Sequence, residues 1–322
     1  MADSTNLPEW GMLEGTLATS PTALDPDRAR EPMSGEFVTP RIRGRHVYLK
    51  PIDPSDYPLL QMLETVGDPA PRWRHRGVTP SPDQWAQVLW AGVLVQFMVV
   101  GVQSNKPIGR VLIYQPNFQD GHAYFAAMRF DTRDRSPLMV LGVSLFLEYV
   151  FGYWPFDKLY MEVPEYNLDQ FASGLGRFFQ IEGRLRGHFR MGGRTWDQLI
   201  LAMYRADAAA HAERLLASDI AEPAAAPETI SWEQFVAEVA EIAQVAEEQV
   251  EPGARVLEDL ALDSLALAEL GVVLVDKYQA PSPRDDLETR RWDNVTVRQL
   301  YDEYLRAGPT TPPDDGRSPA SA

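Results

Sequence analysis

Three short, mostly apolar runs that read as strands, 96–103, 108–114 and 122–130, follow one another with only short polar connections. Strand side chains repeat with a period of two. Connections as brief as Ser104-Asn105-Lys106-Pro107, or the seven residues from Gln115 to Gly121, leave no room for a crossover helix. The runs therefore predict an antiparallel meander. Ahead of it, residues 45–51 alternate as a strand. Asp53-Pro54-Ser55-Asp56 then signals a helix start before Tyr57, Leu59, Leu60 and Leu63, and a second helical pattern covers about 81–90, opened by Pro82 and Asp83. Beyond the meander, 138–153 is apolar nearly all round, as in a helix buried against a sheet. Residues 158–163 read as a strand and 168–179 as a helix, and 183–190 and 195–204 flank Met191-Gly192-Gly193-Arg194, a hairpin signal. The predicted order is β-α-α-β-β-β-α-β-α-β-β.

A chain of 322 residues suffices for about two domains. Residues 1–38 mix Ser, Thr, Pro, Gly and charges without periodicity and are expected to be a disordered leader, with 309–322 a disordered tail. A first domain is expected over 39–206 and a second over 230–308. Between them, Ala-rich sequence passes into Ala-Glu-Pro-Ala-Ala-Ala-Pro, a helix extension running into a linker at 207–229. Those residues could reach ~75 Å extended, or ~26 Å root-mean-square if flexible. No apolar run approaches a bilayer's thickness and the N-terminus lacks a signal pattern, so a cytoplasmic protein without membrane contact is expected. The absence of cysteine excludes disulfides, thiolate metal sites and a cysteine nucleophile; no metal site is expected, and any thiol must come from a cofactor. Residues 222–322 carry 21 acids against 8 bases, leaving the rest near balance at −3 of the net −16. Such a field repels nucleic acid and suits basic partner surfaces, although a solvated face gives the same count.

The acidic segment begins with Ser231-Trp232-Glu233-Gln234, an N-cap before the helical stripe Phe235, Val239 and Ile242. A loop, Pro252-Gly253-Ala254-Arg255, leads to Leu257-Glu258-Asp259-Leu260-Ala261-Leu262-Asp263-Ser264-Leu265, and the segment closes with Trp292-Asp293-Asn294-Val295-Thr296-Val297. By residue type alone, Asp263-Ser264 could be ordinary helix capping. The whole pattern resembles the acyl and peptidyl carrier proteins. The resemblance implies an all-α four-helix domain with 4'-phosphopantetheine carried on Ser264, a phosphopantetheinyl transferase to attach it, and polyketide, nonribosomal-peptide or other carrier-dependent enzymes of secondary metabolism as partners. The family usually has glycine where this chain has Ala261, so a small adjustment of that loop is expected.

Residues 40–206 resemble the GCN5-related N-acetyltransferases (GNAT), nearest the branch acting on N-terminal and small amines. The element order carries the likeness, with Asn167, Phe178-Phe179 and Glu182-Gly183 at the family's spacings. It implies a mixed-sheet α/β (α+β) fold with Asn167 holding a pantetheine arm. The family's Arg-x-x-Gly-x-Gly/Ala turn, which grips the coenzyme A pyrophosphate, corresponds to Arg133-Asp134-Arg135-Ser136-Pro137-Leu138, where both small positions are filled and Pro137 lacks an N–H. Arg133 and Arg135 could bind one phosphate of a carrier arm, or be plain surface charges. Gln170 and Gly174 replace the family's frequent serine and tyrosine. His122, Glu162 and Tyr166 are the candidates for acid–base work, each with a dull alternative as an edge or surface residue. The resulting expectation is an acyltransferase–carrier fusion moving an acyl group to or from a substrate thioesterified at Ser264. One alternative is loading of acetyl-CoA or another acyl-CoA, possibly with decarboxylation, onto the chain's own carrier. The other is an inactive module that presents the carrier.

Overall fold

The computed structural model describes residues 42–67, 74–75, 77–134, 136–220, 230–278, 292 and 294–305. The expected leader, the linker stretch 221–229, the tail and Arg135 lie outside the described residues. In chain order the elements are β1 (Val47–Pro51), α1 (Tyr57–Thr65), α2 (Pro82–Trp90), β2 (Val93–Gly101), β3 (Pro107–Asn117), β4 (His122–Arg129), α3 (Leu138–Tyr153), β5 (Lys158–Pro164), β6 (Gln180–Met191) and β7 (Arg194–Tyr204). There follow α4 (Arg205–Ile220), α5 (Trp232–Ala243), α6 (Ser264–Tyr278) and α7 (Val297–Leu305).

The strands form one seven-stranded sheet in the order β1-β2-β3-β4-β5-β7-β6, antiparallel except where β4 meets β5. Strand alternation sends Phe97, Val99, Val111 and Ile113 to one face, against α3, and Met98, Val100 and Met128 to the other, where Leu60 of α1 and Trp85 and Leu89 of α2 cover them. Helix α3 lies flush because Gly142 admits Val99; a Cβ there would overlap the Val99 methyls. The meander, the buried α3 and the hairpin follow the sequence reading. Gly192 and Gly193 take positive φ, 61° and 75°, the mirror-image turn that matches strand twist.

The sequence reading fails between β5 and β6. The helix expected over 168–179 is replaced by two short 3₁₀ turns, Glu165–Gln170 and Ala172–Gly174, and a bend to Phe179. Gly174 and Gly176 each weaken a helix by about 1 kcal/mol relative to alanine, and Gly176 adopts φ +74°. A Cβ on Gly174 would overlap the Phe179 ring and approach Leu265 Cδ2 to 2.8 Å, so α6 closes on this loop where only glycine fits.

In the acidic segment α5 starts with a reciprocal cap between Ser231 and Gln234. The loop before α6 is tied to the closing stretch by Val256 N donating to Val295 O at 2.9 Å and Val297 N to Ala254 O at 2.9 Å. The described residues supply three helices here, α5, α6 and α7, against the four expected; 279–291 lie outside them. The apolar core is continuous from α3 through α4 (Ala208, Ala212, Leu215) into α6 (Ala266, Leu267, Leu270). No described helix is long and apolar enough to cross a membrane.

Beneath α1 and α2 the core encloses ionic groups. Arg110 of β3, fully buried, donates to Glu64 Oε1, while Trp85 Nε1 donates to Oε2 at 3.0 Å and His75 Nε2 lies 3.4 Å from it. Removing the Glu64 charge strands a buried guanidinium. Glu64→Gln is therefore expected to cost about 3–5 kcal/mol, read as a lowered urea midpoint; a loss below 1 kcal/mol would mean the cluster is not the linchpin of this face.

Candidate functional site

Strands β4 and β5 pair only from His122 to Tyr124 against Lys158 to Tyr160. Past that point they part, while β5 stays paired to β7 as far as Pro164. The gap is a cleft of about 630 Å³, within the range of small-molecule sites. Its lining comes from both faces of the sheet: Met139, Val140 and Val143 of α3 on one side, Val88 and Ala91 beside Tyr114 on the other. The cleft thus passes through the sheet at the parted strands.

Ser264 lines the cleft. It begins α6, which packs on α3 and α4, and it is 8 % exposed. Arg129, the last residue of β4, donates from Nη2 to Ser264 Oγ at 3.2 Å and from Nη1 to the carbonyls of Asp134 (2.6 Å) and Ser136 (3.2 Å). The neighbouring Asp263 carboxylate accepts from Leu265 N and Ala266 N at 3.0 and 2.9 Å, capping α6. It also accepts from Ser173 N at 3.0 Å and Ser173 Oγ at 2.7 Å, binding the helix to the β5–β6 loop. One turn on, Arg177 donates to the buried Glu269 at 2.8 Å; burial raises the Glu269 carboxyl above its ordinary value, and Arg177 opposes that shift. Ala261, at the expected glycine position, sits at φ 51°, a conformation glycine tolerates and alanine strains.

The sequence-selected residues are divided by the fold. Glu162 and Asn167 line the cleft with Ser264. His122 lies at the closed end, with Asn117 Nδ2 3.5 Å from its Nε2 and Tyr160 against its ring, and does not line the cleft. Tyr166 packs edge-on against Phe189 and Trp196 and is not part of the lining either. Arg133 is 82 % exposed and paired with Asp131.

Three groups in the cleft were not singled out from sequence. Arg129 looked like an ordinary strand end. Tyr114 lines the far side, its phenol pushed up to about 12 by burial and by the Glu162 charge. His211 lies in the Ala-rich stretch read as the start of a linker; here it is 9 % exposed, lines the cleft and stacks on Phe178 at 3.6 Å between ring centres. Its Nε2 is buried without a hydrogen-bond partner, and burial, then the Arg214 and Arg177 charges, lower it from 6.5 to about 3. The imidazole is neutral across the physiological range, available to accept or donate a hydrogen bond.

The sequence matches no family model and no curated protein. Among solved structures it is similar to spermidine N-acetyltransferase from Vibrio cholerae in complex with CoA and spermine, at 18% identity over 51% of this chain and 98% of that one, with a TM-score of 0.43. It is also similar to a probable GNAT-family acetyltransferase from Chromobacterium violaceum (22% identity, 60% and 98% covered, TM-score 0.43) and to a GCN5-related N-acetyltransferase from Brucella melitensis (19%, 56% and 87%, TM-score 0.43).

Two outcomes follow from the geometry. In the unfolded chain His211 titrates near 6.5 and in the fold near 3, so the unfolded chain binds more protons between those values. The contribution of a neutral His211 is full above about pH 6.5 and is lost as the pH falls towards 3, with a slope of at most about 1.4 kcal/mol per pH unit. Urea midpoints of His211→Gln should accordingly fall less steeply with acid than those of the wild type; parallel slopes refute the assignment. Ala261→Gly should raise stability by about 0.5–1 kcal/mol by relieving the left-handed alanine, measured in the same titration.

Proposed function

We propose that the chain is an N-acyltransferase that works on an acyl group carried by its own second segment, as a thioester on phosphopantetheine attached to Ser264. The observation that carries this reading is the position of Ser264 in the wall of the cleft between β4 and β5, 3.2 Å from the Arg129 guanidinium. An arm growing from that hydroxyl starts inside the cleft. Asn167 and the apolar walls would line its path, and the opening beside Tyr114 and Glu162 is left for the acceptor.

In the proposed reaction an amine nitrogen attacks the thioester carbonyl, forming the C–N bond as the C–S bond breaks. Glu162 accepts the amine proton. Tyr114, held protonated by burial and the Glu162 charge, donates a hydrogen bond to the departing arm thiolate, which takes its proton from solvent as Glu162 releases the amine proton there. The products are an amide and the free arm thiol. His122 and Tyr166 are left out of this scheme because they stand away from the lining. Attachment of the arm requires a phosphopantetheinyl transferase, and tethering raises the local donor concentration to the mM range. The chain's carrier resemblance and domain pairing are what suggest a biosynthetic pathway of secondary metabolism as its setting.

Incubation with a broad-specificity phosphopantetheinyl transferase and coenzyme A should add one phosphopantetheine mass to the wild type and none to Ser264→Ala. Once the arm is acylated, amine-dependent loss of the acyl mass should slow by roughly 10²–10⁴-fold in Glu162→Gln. No mass gain on the wild type sinks the reading; unchanged transfer in Glu162→Gln removes the base.

A further inference from the structure

In sequence, the stretch before α3 corresponds to the turn with which the resembled acyltransferases hold the diphosphate of free coenzyme A, and here two of its N–H groups are taken by its own aspartates. Asp131 Oδ1 accepts from Arg133 N at 2.9 Å, and Asp134 Oδ1 accepts from Ser136 N at 2.8 Å. The Arg133 and Ser136 N–H groups are therefore already directed at carboxylates. The backbone hydrogen bond from Arg133 is the main influence holding the Asp131 carboxyl below its ordinary value, so its negative charge is secure. Arg133 is drawn outwards onto Asp131, donating from Nε at 3.2 Å. Residue 137, between that loop and α3, is proline and offers no N–H. A second phosphate at this loop would face two carboxylates.

Arg129 is oriented differently. Its side chain is 12 % exposed, with Nη1 engaged by the loop carbonyls and by Asp134 Oδ2 at 3.5 Å, while Nη2 reaches the Ser264 hydroxyl. A phosphodiester built on that oxygen would place its non-bridging oxygens beside Nη2, a charge-assisted contact that needs no movement of the arginine. We infer that the site takes one phosphodiester, the one carried on Ser264, and excludes the diphosphate of free coenzyme A, with Arg129 as the binding residue and Asp131 and Asp134 as the selectivity elements. This deepens the reading given under Proposed function and rests on it.

The chain contains no cysteine, so the thiol of an attached arm is the single thiol in the protein and reports its own surroundings. In the holo protein that thiol should react with a water-soluble maleimide at least about tenfold more slowly than in holo Arg129→Gln, the loss expected for one charge-assisted hydrogen bond. Arg129→Lys should fall between them. Separately, Ser264→Ala should show no binding of free coenzyme A by calorimetry up to about 1 mM, whereas Ser264→Ala with Asp131→Asn and Asp134→Asn should gain at least about tenfold in affinity once both repelling charges are gone. Equal labelling rates in wild type and Arg129→Gln, or micromolar binding of coenzyme A to Ser264→Ala, overturn the inference. The two failures are distinct: no added mass on the wild type ends the carrier reading and this one together, while an added mass with equal labelling rates ends only this one. If Arg129→Gln does not fold, the calorimetric comparison decides alone.

Discussion

Four hydrogen bonds converge on the carboxylate of Asp263. Two come from the first turn of α6, at Leu265 and Ala266, and two from Ser173 of the β5–β6 loop. An ionised carboxylate accepts about that many and donates none, so its capacity is filled. The same group that starts the helix presenting Ser264 thereby fixes the helix against the wall of the cleft. Half of its hydrogen bonds leave the helix, so this group adds to the apolar packing of α6 a polar tie that holds serine and cleft together.

The surrounding chemistry is consistent with that contact. The acidic character of the second segment suggested a face for basic partners, and part of it is used within the chain: Glu269, nearly fully buried, is met by Arg177. Charges in such surroundings are costly unless paired, which makes the contact selective as well as adhesive. Arg129 ties the end of β4 and the adjoining loop before α3 to Ser264, 135 residues further along the chain.

Much of the sheet domain was legible in the sequence because its causes are local. The meander, the apolar helix α3 and the Gly192-Gly193 hairpin are set by short strand-like runs with brief polar connections, by all-round hydrophobicity and by glycines at positive φ. The stretch 168–179 misled for a physical reason. Its pattern is helical, but Ser173 N is claimed by Asp263, ninety residues away, and Gly174 is pressed by Leu265, so the competing interactions are invisible in a local window. His211 was hidden in the same way. An Ala-rich helix extension leading into a linker gives no sign that it is buried until α4 is seen packed on the core, with the imidazole enclosed beside Phe178.

For the site, the sequence by itself determined that a serine follows an aspartate at a helix start, and that Glu162 falls on β5 with Asn167 just beyond it. Short-range rules of capping and alternation suffice for that. Only the tertiary structure decided that Ser264 opens into the cleft, that Arg129 faces it, and that His122 and Tyr166 stand apart. Those outcomes depend on where β4 and β5 stop pairing after Tyr124 and Tyr160, and on which long-range partner satisfies each buried polar group. Neither is encoded within the span of a turn or a strand.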